Sequence, residues 1–258
     1  MLLGWSRAIL LQLAHPLVAA GVADQSSFRA GRLAAASRLH HTVRAMLALT
    51  FGDPLSRQRA IDGIKAIHRR VNGRLMFDAG RFPAGTRYSA EDPELLLWVH
   101  ATLLESLPLA YDQLVGPLTL ADYDAFCTES ASGAVALGAD GLAVPHSWAA
   151  LVSYLNATYA SGTIAVGPQA RELASAVLAP PFAPFVAPVA WINRVISVGL
   201  LPPAIRAQYG FSWTAADQRL FARLCGAIRH TRQVLPTTVA WWPEARQAER
   251  FGDNQKGR

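Results

Sequence analysis

Apolar positions recur with a helical period along almost the whole chain, and strand-like alternation is scarce. Ala, Leu and Arg, all good helix formers, fill the periodic segments. The pattern predicts a first helix from about Leu3 to Ala20, stopping near Gly21, and a second from Leu33 to Thr50 with Gly52 as its stop signal. Asp53-Pro54 then supplies a cap and a first-turn proline for a third helix that ends at Gly73. Arg74 to Ala90, broken by Gly80, Pro83 and Gly85, reads as a long loop with room for a small hairpin. Asp92-Pro93-Glu94 starts a fourth helix that continues to about Val115. Thr119 with Asp122 has the spacing of a capping box for a fifth, and Ser147 caps a sixth through Ala160. Pro168 to Leu178 forms a seventh. An irregular connection through Pro180, Pro181, Pro184 and Pro188 leads to a helix over Ala190 to Leu200. Thr214 with Asp217 opens a last long helix through Arg232, and the tail 251–258 reads as disordered. With no internal repeat and no hydrophilic linker, residues 1–250 are expected to form one all-α domain.

Composition narrows the class. Over 258 residues, 52% are hydrophobic and 16% charged, which excludes disorder as a description of the chain. Cys127 and Cys225 are the two cysteines, and neither stands in a CxxC or CxxCH context. The surroundings of Cys225 also lack the pattern of a haem–thiolate loop, so it is expected to be buried and inert. The net charge is +6, carried almost wholly by arginines spread along the chain; Lys65 and Lys256 are the only lysines. That spread argues against a nucleic-acid partner, whose binders concentrate charge and aromatics on one face. Arg7 followed by the apolar run Ala8 to Ala23 resembles a secretory signal, but Gln12, His15 and Pro16 interrupt it. The run is too short and too polar to span a bilayer, so a buried first helix, no transmembrane segment and a cytoplasmic protein are expected.

Several chemistries have no motif here. There is no GxGxxG, GxxxxGK[ST], GxSxG or HExxH, and no Glu-x-x-His pair for a ferritin-like di-iron site. What remains is histidine on apolar stripes. His68 lies in line with Ile61, Ile64 and Val71, His100 with Leu96, Leu103 and Leu107, and His15 with Leu11 and Val18. A buried imidazole is either hydrogen-bonded within the core or bound to a metal. A haem needs one imidazole in an apolar helical pocket, with cationic groups near its propionates. On the second helix Arg38, His41, Thr42 and Ala45 share one face, which looks either to solvent or into a site.

These residues resemble a family. Leu11-Gln12-Leu13-Ala14-His15-Pro16 with Ala20-Gly21-Val22-Ala23-Asp24, and Arg38-Leu39-His40-His41-Thr42 with Phe51-Gly52, are similar to its first two blocks. Tyr88 to Thr102 (YSAEDPELLLWVHAT) is the most specific block, and Gly199-Leu200-Leu201-Pro202-Pro203 with Arg206 and Tyr209 resembles the C-terminal part. Together they resemble the MpaB/latex-clearing rubber oxygenase family over nearly the whole chain. The resemblance implies an all-α fold with a globin-like core and haem b. By the same resemblance His68 is the iron ligand, and Arg38 and Thr42 position the propionates or the distal polar network. His41 stands where the rubber oxygenases carry a distal lysine, which opens bis-histidine ligation. Gln25-Ser26 stands where the family often has His-Ser, and Asp24 lies near, not at, the position of the catalytic glutamate. His15 and His100 are expected beside the cofactor or in the core.

The function so implied is a haem-b-dependent oxygenase using dioxygen on a small, apolar, unsaturated substrate such as a terpenoid or lipid. Polyisoprene itself is disfavoured because no export signal is expected. The alternative is a non-catalytic carrier of haem or of a hydrophobic ligand; a third possibility is a helical protein whose histidines are structural.

Overall fold

Pro16 divides the first predicted helix. It has no N–H to donate, and its ring collides with the preceding turn. In the computed structural model the chain therefore runs as α1 (Leu2–Leu13) and α2 (Pro16–Gln25), bent by 102°. The structure describes residues 2–25, 32–178 and 187–235, and within these it leaves out the side chains of residues 2, 3, 25, 32–40 and 42. The predicted tail 251–258, Ser26 and the Gln25 side chain lie outside the described residues. The break is stabilised locally: His15 Nδ1 accepts the Leu17 N–H at 3.2 Å, serving as a cap for α2, and the Ala165 N–H donates to the Ala14 carbonyl at 3.0 Å. Gly21, expected to end the first helix, instead lies inside α2, where a Cβ would stand 3.2 Å from Val71 Cγ1.

Gly52 and Asp53 join α3 (Arg32–Phe51) to α4 (Pro54–His68), and Asp53 Oδ1 caps α4 by accepting the Ser56 N–H at 2.7 Å. α4 stops at His68, short of the expected Gly73, because the next residues are used otherwise. Asn72–Arg74 forms β1, paired antiparallel with β2 (Arg87–Ser89) in a register that sets Gly73 opposite Tyr88. A Cβ on Gly73 would lie 2.4 Å from the Tyr88 hydroxyl, so this strand glycine permits a close approach that any other residue would block.

The remaining elements follow their sequence signals. α5 (Pro93–Leu114) is capped by Asp92, α6 (Leu120–Leu137) by a Thr119–Asp122 capping box, and α7 (Trp148–Ala160) by Ser147. α8 (Pro168–Leu178) and α9 (Ala187–Gly199) precede α10 (Pro203–Gln208), a short helix that the apolar pattern does not predict. α11 (Ala215–Val234) starts on a Thr214–Asp217 capping box. The described residues hold eleven helices and two short strands, an all-α protein.

α1 lies along α5 in the middle of the molecule, flanked by α8 and α9, while α5 also meets α6 and α11. Leu10, Leu11, Trp98, Leu104, Leu151 and Leu155 form the centre of the largest core cluster. No single helix among the described residues is long and apolar enough to cross a membrane. Within the core Arg7 is 2% exposed and pairs with Glu105 at 2.9 Å. Removing one member of a buried pair strands the other charge. Arg7→Ala should therefore lower unfolding free energy by about 3–5 kcal/mol, and Arg7→Met by clearly less when Glu105→Met is made with it. Urea denaturation of the three proteins checks this; a loss in Arg7→Ala below about 1 kcal/mol would show that the pair is not a buried one.

Candidate functional site

The site is built around the last residue of α4. His68 is half-buried, and its Nδ1 is buried with no hydrogen-bond partner among the described residues. Burial holds its pKa below the usual imidazole value, with the Glu91 carboxylate opposing that shift. At neutral pH the ring is therefore uncharged and keeps a lone pair.

The short connector at Gly52-Asp53 folds α3 back along α4. Arg38 lies 13 residues before the end of α3 and His68 lies 14 residues after the start of α4, so the two stand at the same level of the antiparallel pair. Thr42 is one turn nearer the connector. The side chains of Arg38 and Thr42 are outside the described residues, and that of His41 is exposed. The close packing of α3 is on α4, and that of α4 is on α3 and α6, whereas α5 is taken up by α1, α6, α7 and α11. The α3–α4 pair thus meets the body of the protein through α6.

His100 projects from α5. It is half-buried, its Nε2 is buried without a partner among the described residues, and burial pushes its pKa down to about 4. His15 also has a pKa pushed down to about 4, chiefly by burial. Its circumstances differ, because its Nδ1 is occupied by the Leu17 N–H and its ring stands between Phe82 and Trp98, with centroids 5.4 and 6.4 Å away. The sequence puts all three histidines on apolar stripes; the structure separates one that caps a helix from two that each retain an unsatisfied nitrogen.

The hairpin that follows α4 carries half of a pair that the sequence did not single out. The Tyr88 hydroxyl donates to Asp24 Oδ2 across the junction of β2 and α2. Tyr88 is 5% exposed, and burial first, then the Asp24 carboxylate, keeps its phenol protonated. Val71, three residues beyond His68, packs in the same cluster as Tyr88. The available signals were a glycine in a strand, Gly73, and the place of Tyr88 at the head of the most specific sequence block. Further along, Gln12 and α5 brace each other: the Trp98 Nε1–H donates to the Gln12 carbonyl and Gln12 Nε2 donates to the Val99 carbonyl, both at 3.4 Å.

The donor set decides which cofactor fits. No group of three or more His, Cys, Asp or Glu that could hold a metal ion exists among the described residues. Single imidazoles with unsatisfied nitrogens suit a cofactor that brings its own equatorial ligands, as haem does. The cysteines do not compete as ligands: burial raises both thiols, that of Cys225 to about 11, which keeps them protonated at neutral pH.

The depressed histidine pKa values fix a pH dependence. In the unfolded chain His15 and His100 titrate near 6.5, in the folded chain near 4, so on acidification the unfolded state takes up protons first. Stability is complete above 6.5 and falls as pH drops from 6.5 to 4, by up to about 1.4 kcal/mol per pH unit for each residue. His100→Leu should remove about half of that slope in denaturation curves taken across this window; an unchanged slope would exclude His100 as a contributor.

The family described as ER-bound oxygenase mpaB/B′/rubber oxygenase, catalytic domain, matches residues 1–230, which spans the chain from α1 into α11 and takes in every histidine discussed above. No curated protein and no solved structure matches the chain. The matched region is most of the sequence, and the chain belongs to the mpaB/rubber oxygenase catalytic-domain family.

Proposed function

We propose that this oxygenase-family domain is a haem-b-dependent enzyme with His68 as its axial ligand, acting in the cytoplasm on a small, apolar, unsaturated substrate such as a terpenoid or lipid. The observation that carries this reading is the His68 imidazole: neutral, set on an apolar stripe, and holding a buried nitrogen that no group among the described residues satisfies. Haem, when bound, supplies the activation of dioxygen.

This chain's own residues have separable tasks. His68 keeps its lone pair because burial opposes protonation, so it stays a competent ligand at neutral pH. Arg38, His41 and Thr42 share one face of α3 at the level of His68 and would supply the polar side of the pocket: a cation for propionates, and donors for a polar reactant. His100 on α5 would line the opposite side, beside the cofactor. Ile61 and Ile64 on α4 continue the apolar stripe and exclude water, which favours an apolar substrate over a charged one. Tyr88 keeps its proton and fixes the Asp24 carboxylate where α2 meets β2.

The test is optical and then catalytic. The full chain supplemented with haem should show a Soret band at one haem per chain. His68→Ala should abolish stoichiometric binding, while His100→Ala should stay coloured with haem affinity weakened by about 10–100-fold. The reverse ranking would move the ligand to His100, and no Soret band in the parent protein would end the haem reading. Dioxygen uptake driven by a terpenoid alkene should exceed one turnover per chain; a coloured protein that consumes none is a carrier of haem or of a hydrophobic ligand.

A further inference from the structure

We propose that the β1–β2 hairpin is a docking face for an anionic lipid surface, with Met76 and Phe77 entering the acyl boundary and Arg74 and Arg87 meeting the headgroups. This inference stands apart from the haem reading, since it rests on the exposed side chains of Arg74, Met76, Phe77 and Arg87 and on no histidine.

The register sets which side chains look outward. Gly73 pairs with Tyr88, whose side chain is buried at 5% exposure, so the period of two turns Arg74 and Arg87 the other way. Arg74 and Arg87 stand directly opposite each other and both are exposed. Like charges in direct cross-strand pairing repel. Among the described residues neither is ion-paired: Arg74 Nη1 donates to the Gly85 carbonyl at 2.9 Å, and no acid lies against Arg87. Two and three residues beyond Arg74, Met76 and Phe77 are each 71% exposed, so two large apolar side chains sit in water just past the end of β1. Two unfavourable features therefore occupy one small surface, and an anionic membrane removes both at once, by supplying counter-charge and hydrocarbon together.

The surrounding charge agrees. Between Arg69 and Glu91 five arginines face two acids, half of the chain's net charge of +6. One of those acids is tied to the loop backbone, Asp78 Oδ1 accepting the Ala84 N–H at 2.7 Å. The far end of the hairpin is pinned: Gly80 lies against Ala165 and the Gly162 carbonyl, and Arg81 Nη1 donates to Thr163 Oγ1 at 3.4 Å. Met76 and Phe77 are thereby presented on an anchored loop. A stable protein interface needs about 1,200 Å² or more, far above what two side chains offer, whereas membrane insertion rewards a small apolar tip ringed by cations.

Vesicle co-sedimentation of the full chain tests the proposal. The parent protein should pellet with vesicles of phosphatidylglycerol and phosphatidylcholine, far less with phosphatidylcholine alone, and less as salt is raised. Arg87→Gln should weaken binding about fivefold and Phe77→Ser about tenfold, with thermal unfolding of both unchanged because the side chains are exposed. Met76→Ser replaces Phe77→Ser if the latter shifts the unfolding temperature. Equal binding by parent and variants, or no preference for the anionic vesicles, would overturn the proposal. A parent protein that ignores vesicles but forms a dimer dispersed by Phe77→Ser would overturn it in favour of a second copy of the chain.

Discussion

The fold is organised by one buried guanidinium. Arg7 sits where α1, α5 and the end of α9 meet, and each of its nitrogens is used: Nε donates to the Leu200 carbonyl at 2.7 Å, Nη1 to Ser106 Oγ at 2.6 Å, and Nη2 to Glu105 Oε2 at 2.9 Å. A charge this deep is tolerated only when its donors are satisfied, so these three bonds fix α1 against α5 and against the α9 terminus together. A second arginine completes the arrangement. Arg206 Nη2 donates to the carbonyls of Gly199 and Leu201, at 3.3 and 3.0 Å, and its guanidinium lies over the Trp213 ring. Carbonyls that a helix C-terminus leaves unpaired are thus taken up by two cations, which the helix dipole also favours. Gly199 has no side chain because Phe221 occupies the place where a Cβ would be, 2.4 Å away. The block Gly199 to Tyr209 is therefore a structural clasp, closed by the Tyr209 hydroxyl donating to the Leu10 carbonyl at 2.6 Å.

The second constraint is the turn at Pro16, which connects that clasp to the site. With α1 held by Arg7, the bend alone decides where α2 goes. It carries Gly21 and Asp24 to the hairpin, where Tyr88 seats against Gly73 and bonds Asp24. Val71 packs into the same group and leads back to the end of α4. Among the described residues the position of His68 thus depends on a chain of small steric requirements, two of them glycines, with no polar bond to the ring itself.

Local signals were legible in the sequence, and long-range ones were not. The caps at Asp53, Asp92, Thr119, Ser147 and Thr214 each lie within a few residues of the N–H they satisfy, and all five form as expected. The helix break was missed because apolar periodicity runs straight through Ala14-His15-Pro16, and the early end of α4 because Val71 to Gly73 extends the pattern while pairing with β2. Arg7 reads in sequence as the basic flank of an apolar run, since its partners lie 98, 99 and 193 residues away. The stripes identified three core-facing histidines but gave them equal weight. Only the structure shows that the residue after His15, a proline opening a helix, commits its Nδ1 to a cap. The globin-like core and the roles of Arg38 and Thr42 rest on the family resemblance.

The unsatisfied nitrogens of His68 and His100 differ in kind from the other unpaired buried atoms. Trp5 Nε1, the Tyr159 hydroxyl and the Nε atoms of Arg206 and Arg229 are also without partners among the described residues. The two arginines make bonds through their other nitrogens, and an indole or guanidinium N–H can only donate. A neutral imidazole nitrogen can be a Lewis base. Leaving such a group buried and unbonded costs about 1–3 kcal/mol, a cost that leucine at either position would avoid. Burial also disfavours the proton that would otherwise occupy the lone pair, so the same desolvation that destabilises the fold keeps the nitrogen available as a ligand. Core stability and metal ligation therefore make opposite demands at these positions. In His15 the demand for stability is met by a backbone N–H, whereas in His68 and His100 it is left open, and it is there that a ligand gains most by binding.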